Sequence, residues 1–111
     1  MSRFTITRHK GFRLVFDNGF AISVQWGEMN YCTRKNDDEL NPDFVSPEKS
    51  DFWTADSAEV AIIDKEGKFI SLGEDTVAGW LSSDKVAQLI TIVQSAKTVN
   101  EIQTKLKALK I

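Results

Sequence analysis

The residues best suited to chemistry crowd into one short stretch, Gln25-Trp26-Gly27-Glu28-Met29-Asn30-Tyr31-Cys32, with Arg34 and Lys35 just behind it. Indole and phenol faces stack on planar bases. Side-chain amides match the paired donors and acceptors of a base edge, and a guanidinium holds phosphate oxygens in a fixed fork. Trp26, Asn30, Tyr31 and Arg34 therefore make a candidate ligand-binding set, with Trp80 as a second aromatic able to close a pocket wall. Each aromatic also has a plainer reading. Trp26 continues the apolar face of the strand before it, Tyr31 can cap that core, and Trp80 beside Gly79 suits a core position.

Catalysis finds less support. Cys32 is the single cysteine and His9 the single histidine. A thiol nucleophile needs a base within hydrogen-bond reach and a third group to orient it, and His9 lies outside the motif. Cys32 reads instead as a small, partly buried apolar side chain. No Cys, His and carboxylate spacing fits zinc, and the acidic run Asp37, Asp38, Glu39, Asp43 does not follow the EF-hand pattern. Neither GxxxxGK[ST] nor GxGxxG occurs. The expectation is a protein that is not an enzyme and uses no metal or cofactor.

A rigid scaffold must hold such a loop, and the flanking residues specify one. Asn18-Gly19 is a strong hairpin signal, since a type I′ turn needs φ > 0 at both central positions. Around it, Phe12, Leu14 and Phe16, then Phe20, Ile22, Val24 and Trp26, fall on alternate positions. This predicts a central hairpin over 12–26 with Phe12, Leu14, Phe16, Ile22 and Val24 buried. Residues 3–8 alternate Phe4 and Ile6 with Thr5 and Thr7, as in a short edge strand. Residues 57–63 and 68–72 read as a second hairpin across Asp64-Lys65-Glu66-Gly67, with Gly67 suited to the left-handed region. Residues 76–81 suit a further strand, in which Gly79 marks a close backbone approach or a bulge.

The period then changes. Val86, Leu89, Ile90 and Val93 share one helical face, with Ser82 or Ser83 as the N-cap. Thr98-Val99-Asn100-Glu101 fits a capping box, and Val99, Ile102, Leu106 and Leu109 form the next apolar stripe. Strands followed by helices define an α+β class: an antiparallel sheet of about five strands (two hairpins), then two C-terminal helices packed on one face. Residues 35–52 hold both prolines and many acids and read as a solvated loop or a lid, with Phe44 and Val45 able to pin its middle.

A chain of 111 residues suits a single domain, 1–81 forming the sheet with loop 35–52, and 82–111 the helical part. A net charge of −2 argues against nucleic acid or an anionic membrane as partner. No apolar run reaches the length of a membrane span, and the first residues read as having no signal peptide. One cysteine permits no internal disulfide, which fits a cytoplasmic protein.

Ser23-Val24-Gln25-Trp26-Gly27 with Asn30-Tyr31-Cys32, and later Ala58-Glu59-Val60-Ala61, resemble a set of small proteins encoded by tailed bacteriophages, over roughly residues 12–95. The layout is also similar to the anti-Thoeris phage sponges. That resemblance implies binding of cyclic ADP-ribose isomers or cyclic oligonucleotides without cleavage, and homo-oligomeric assembly. No ligand residue is carried over from them. The expected function is thus a phage anti-defence protein that sequesters a nucleotide-derived signal. The alternative is a protein inhibitor of a host defence factor or nuclease, acting through the acidic loop 37–51. A homo-oligomer, dimer or higher, is expected, because the last helix carries a stripe that a small sheet leaves partly uncovered.

Overall fold

The structure, a computed structural model, describes residues 2–8 and 10–111, and of Leu40 the backbone alone. Five strands, β1 (Arg3–Ile6), β2 (Gly11–Val15), β3 (Ala21–Gln25), β4 (Ala58–Ile63) and β5 (Val77–Leu81), form one antiparallel sheet in chain order. The fold class expected from the periodicities is the one found. Phe12 lies opposite Val24 and Val24 opposite Val60; Leu14 lies opposite Ile22 and Ile22 opposite Ile62. Alternation therefore places all of these on one face, and α2 (Ser83–Ser95) lies across that face over β3 and β4. The third helix, α3 (Val99–Ala108), packs beside α2. Ile22, Val60, Ile62, Leu89, Val93 and Ile102 are completely or almost completely buried between these layers. Phe12, Leu14 and Phe16 are only partly buried, because they sit towards the β1 side, beyond the strands that α2 covers.

The first hairpin is built differently from a type I′ turn. The Phe16 N–H donates to the Phe20 carbonyl and the Gly19 N–H to the Phe16 carbonyl, both at 2.9 Å. Gly19 has a φ of 91°, while Asn18 is not in the positive region. This is a three-residue loop closed by a left-handed glycine. It frees the Asn18 side chain for another task. Its Nδ2 donates to the carbonyls of Val93 and Ala96, each at 2.8 Å, and of Gln94 at 3.1 Å. Its Oδ1 accepts from the Phe20 N–H at 3.0 Å. A turn residue thus caps the C-terminus of α2, where backbone carbonyls run short of helical partners. Among the backbone bonds of loops and caps, the Val93 carbonyl accepts only a long one, 3.3 Å, from the Ala96 N–H.

The expected second hairpin forms only at its tip. The Asp64 N–H bonds the Lys68 carbonyl at 2.8 Å, but the return strand makes a single bridge, Ile63 to Phe69. Residues 68–72 are therefore not a strand. One edge of β4 is taken by β3 along its length, and the other is shared: Phe69 and Ile70 hold its end while β5 pairs with Ala58, Val60 and Ala61. Ile70 keeps one bond to β4, its N–H donating to the Ile62 carbonyl at 2.8 Å, and its side chain is buried in the core.

The helix signals hold locally. Ser82 accepts the Lys85 N–H at 3.2 Å as the N-cap of α2. Thr98 Oγ1 accepts the Glu101 N–H at 3.1 Å, and Glu101 returns a carboxylate to the Lys97 N–H at 2.9 Å, one residue earlier than in the usual box. The α3 stripe is covered within the chain: Ile102 and Leu106 are buried, and Val99 and Leu109 pack against the same core. Large exposed apolar side chains lie elsewhere, among them Phe4 and Ile6 of β1 and Met29 and Phe52 of the loops. Residues 35–52 are structured more than expected. They hold a short helix α1 (Asp37–Leu40) and a 3₁₀ turn (Pro47–Lys49) with Pro47 buried. Phe44 pins the segment by an edge contact with Trp53, ring centres 5.6 Å apart, while Val45 stays exposed. No helix among the described residues is long and apolar enough to cross a membrane.

Candidate functional site

The loop after β3 spends its polar groups on itself and on the sheet. Asn30 Oδ1 accepts the Gly27 N–H at 2.9 Å, and its Nδ2 donates to Glu59 at 3.1 Å. The other Glu59 oxygen accepts the Tyr31 N–H at 3.0 Å. Lys10 closes the base of the loop with an ion pair to Glu28 at 3.2 Å. Arg34 is equally committed: Nε donates to the Thr54 carbonyl at 2.6 Å, Nη1 pairs with Asp37 at 2.9 Å, and the guanidinium lies 4.5 Å from the Trp53 ring centre. Asn30 and Arg34 therefore staple loop 27–36 to β4 and to residues 51–57.

Cys32 is buried, 2% exposed, with its thiol 3.4 Å from the Gly27 carbonyl. Burial is the main cause that pushes its pKa above the usual thiol value. A buried, protonated thiol is a poor nucleophile. His9, its only conceivable imidazole partner, lies outside the described residues. No cluster of three or more potential metal ligands occurs among the described residues.

The aromatic candidates fall into two groups. Glu59 lies opposite Gln25, on the sheet face away from Val24 and Val60. There β5 carries a bulge between the positions opposite Ala58 and Val60, as Gly79 beside Trp80 indicated. Trp80 takes a φ of 52° and turns its N–H from the ladder to the Tyr31 carbonyl at 2.8 Å. A Cβ on Gly79 would stand 2.6 Å from the Tyr31 Cβ, so only glycine lets the loop approach this closely. The Tyr31 and Trp80 rings pack with centres 5.4 Å apart, both exposed, and Lys35 Nζ sits 4.7 Å from the Tyr31 ring centre.

Trp26 stands apart from this pair, on the helix-covered face. Its Nε1 donates to the Trp53 carbonyl at 2.7 Å, and Trp53 Nε1 donates back to the Trp26 carbonyl at 3.1 Å. Phe12 meets the Trp26 ring edge-on, centres 6.1 Å apart. These rings, with Val24, residues 53–58 and the Val86, Ala87 and Ile90 face of α2, line an open groove of about 610 Å³. Thr54, Asp56, Ser57 and Ser83 add polar atoms. That volume and mixture suit a drug-sized ligand. Trp53 is not singled out by the sequence, and Glu59 only as part of the Ala58-Glu59-Val60-Ala61 motif, not as an anchor for the loop. The available signal for Trp53 was a large ring beside Phe52 at the end of a largely polar segment.

No family model, curated protein or solved structure matches the chain.

Proposed function

We propose that this protein is a non-catalytic binder that sequesters a small nucleotide-derived molecule in the cytoplasm of a host cell, as a self-associating phage anti-defence protein. The observation that carries the binding reading is the groove of about 610 Å³ beside the mutually hydrogen-bonded Trp26 and Trp53. A planar base buries apolar area against such walls, and aromatic stacking contributes about 1–3 kcal/mol per base. Asp56, Ser57 and Thr54 offer acceptors and hydroxyls to its edge. Arg34 is occupied by Thr54, Asp37 and Trp53, so the anion-holding role read from sequence is not open to it; Lys35 stands beside the Tyr31–Trp80 pair, a separate surface from the groove.

Calorimetry with cyclic ADP-ribose, a cyclic dinucleotide and adenosine tests this, with chromatography of the recovered ligand. The expected result is saturable heat and an intact ligand. Ala87→Trp, which adds an indole at an exposed position lining the groove, should abolish the heat. If Trp80→Ala abolishes it and Ala87→Trp does not, the Tyr31–Trp80 surface is the site. No heat with any of the three ligands overturns the nucleotide reading. The inhibitor reading then takes over, favoured by Val45 and Phe52, 52% and 86% exposed in the same segment as the exposed acids Asp38, Glu39 and Asp43.

A further inference from the structure

The outer edge of β1 has its hydrogen-bonding phase fixed by its neighbours. The Thr7 N–H donates to the Gly11 carbonyl at 3.0 Å. Bonded and non-bonded pairs alternate in an antiparallel ladder, so Thr5 opposite Arg13 and Arg3 opposite Val15 are the next bonded pairs. The other side of β2 agrees: Phe16 and Lys10 bond Phe20 and Trp26 of the β3 side, which leaves the odd residues of β2 for β1. The N–H and C=O groups of Phe4 and Ile6 therefore point outward, and among the described residues β1 has no strand partner other than β2.

Few of the usual devices against edge pairing are present: β1 is short and carries one charge, Arg3, but contains no proline, lysine or bulge. Its large side chains are almost fully in solvent, Phe4 at 88% and Ile6 at 78%. They share the apolar face of Phe12 and Leu14, which lie opposite them.

We propose that β1 pairs antiparallel with β1 of a second copy of this chain, about a two-fold axis through Thr5, joining the two sheets into one. The inference deepens the self-association in the function proposed above and rests on that part of it alone. The strand is self-complementary in one register. With Thr5 opposite Thr5, Phe4 lies opposite Ile6 on the apolar face, and Arg3 lies opposite Thr7 on the polar face, so no arginine meets an arginine. Phe4 and Ile6 then form bonded pairs, which uses the groups that point outward. A slip of one residue sends apolar side chains to the polar face. A slip of two places either Ile6 against Ser2, or Phe4 against Arg8, whose φ of 43° has already left the strand.

Light scattering on the wild type, Ile6→Lys and Phe4→Pro tests the pairing, with circular dichroism to confirm the fold. Both substitutions act on the outer edge; the proline removes an N–H that β2 does not use. The wild type should weigh twice the 12.5 kDa of the chain at micromolar concentration, and both variants should weigh 12.5 kDa. Thr5→Cys should form an interchain disulfide on mild oxidation, since the pair on the axis is non-bonded and close; Cys32 is buried and stays out of it. A monomeric wild type overturns both self-association and the pairing. A dimer that survives both substitutions, or that fails to cross-link through Thr5→Cys, leaves self-association standing and overturns this interface, as does a wild type heavier than a dimer.

Discussion

Asn18 separates a local role from a tertiary one. A turn residue acting only through its own backbone preference tolerates Asp almost as well as Asn. Here the amide nitrogen holds three carbonyls at the end of α2, two of them at 2.8 Å. Two good bonds lost at about 1 kcal/mol each give Asn18→Ala a cost of about 2 kcal/mol. With an unfolding entropy of about 2.1 cal/mol/K per residue over 111 residues, each kcal/mol lowers the melting temperature by about 4 °C. Asn18→Ala should therefore melt about 8 °C below the wild type. Asn18→Asp should be worse, not better. It keeps the turn-forming oxygen but aims a carboxylate at a helix C-terminus, a further penalty of about 1 kcal/mol from the helix dipole. Thermal denaturation followed by circular dichroism at neutral pH reads all three proteins. If Asn18→Asp melts with the wild type, the contact with α2 contributes nothing and Asn18 is only a turn residue.

Arg34→Ala should lower stability by about 1–3 kcal/mol in a urea titration, because it leaves Thr54, Asp37 and Trp53 without their common partner; an unchanged midpoint refutes the stapling role. Ile22→Ala, at a fully buried site, should cost about 2–5 kcal/mol and clearly more than Leu14→Ala at a partly buried one; equal losses would mean that α2 covers β2 as fully as β3. Gly79→Ala sets a methyl 2.6 Å from the Tyr31 Cβ and should cost about 1–3 kcal/mol, with a shift in tryptophan emission as Trp80 is displaced; an unshifted spectrum and midpoint would contradict the close approach. The Cys32 thiol should resist alkylation until the chain unfolds. Its folded pKa is raised, so the unfolded state ionises first, and above the ordinary thiol value of 9.0 stability should fall with rising pH in the wild type but less so in Cys32→Ala.

Local patterns were legible because their physics is local. The two-residue alternation around Ile22 and Val24 reads out the buried face whatever that face meets, and the Ser82 and Thr98 caps bond backbone within the same turn of chain. Gly79 announced a bulge because a missing side chain there has few other uses. What needed the tertiary structure was every assignment in which two distant segments compete for one group. Residues 68–72 alternate as a strand should, but β5 takes most of the β4 edge they would have used. Asn30 and Arg34 have the chemistry of ligand contacts, and only the arrival of Glu59, Thr54, Asp37 and Trp53 from elsewhere in the chain commits them to holding the loop. Trp26 and Tyr31 stand five positions apart, yet strand alternation and the bulge at Trp80 send them to different surfaces. The sequence by itself determined which face of the first hairpin turns to the core and where the chain turns, while the depth of burial of Phe12, Leu14 and Phe16 was set by where α2 lies. Which polar groups are left for a ligand depends on partners brought in by long-range contacts, and local spacing carries no record of those.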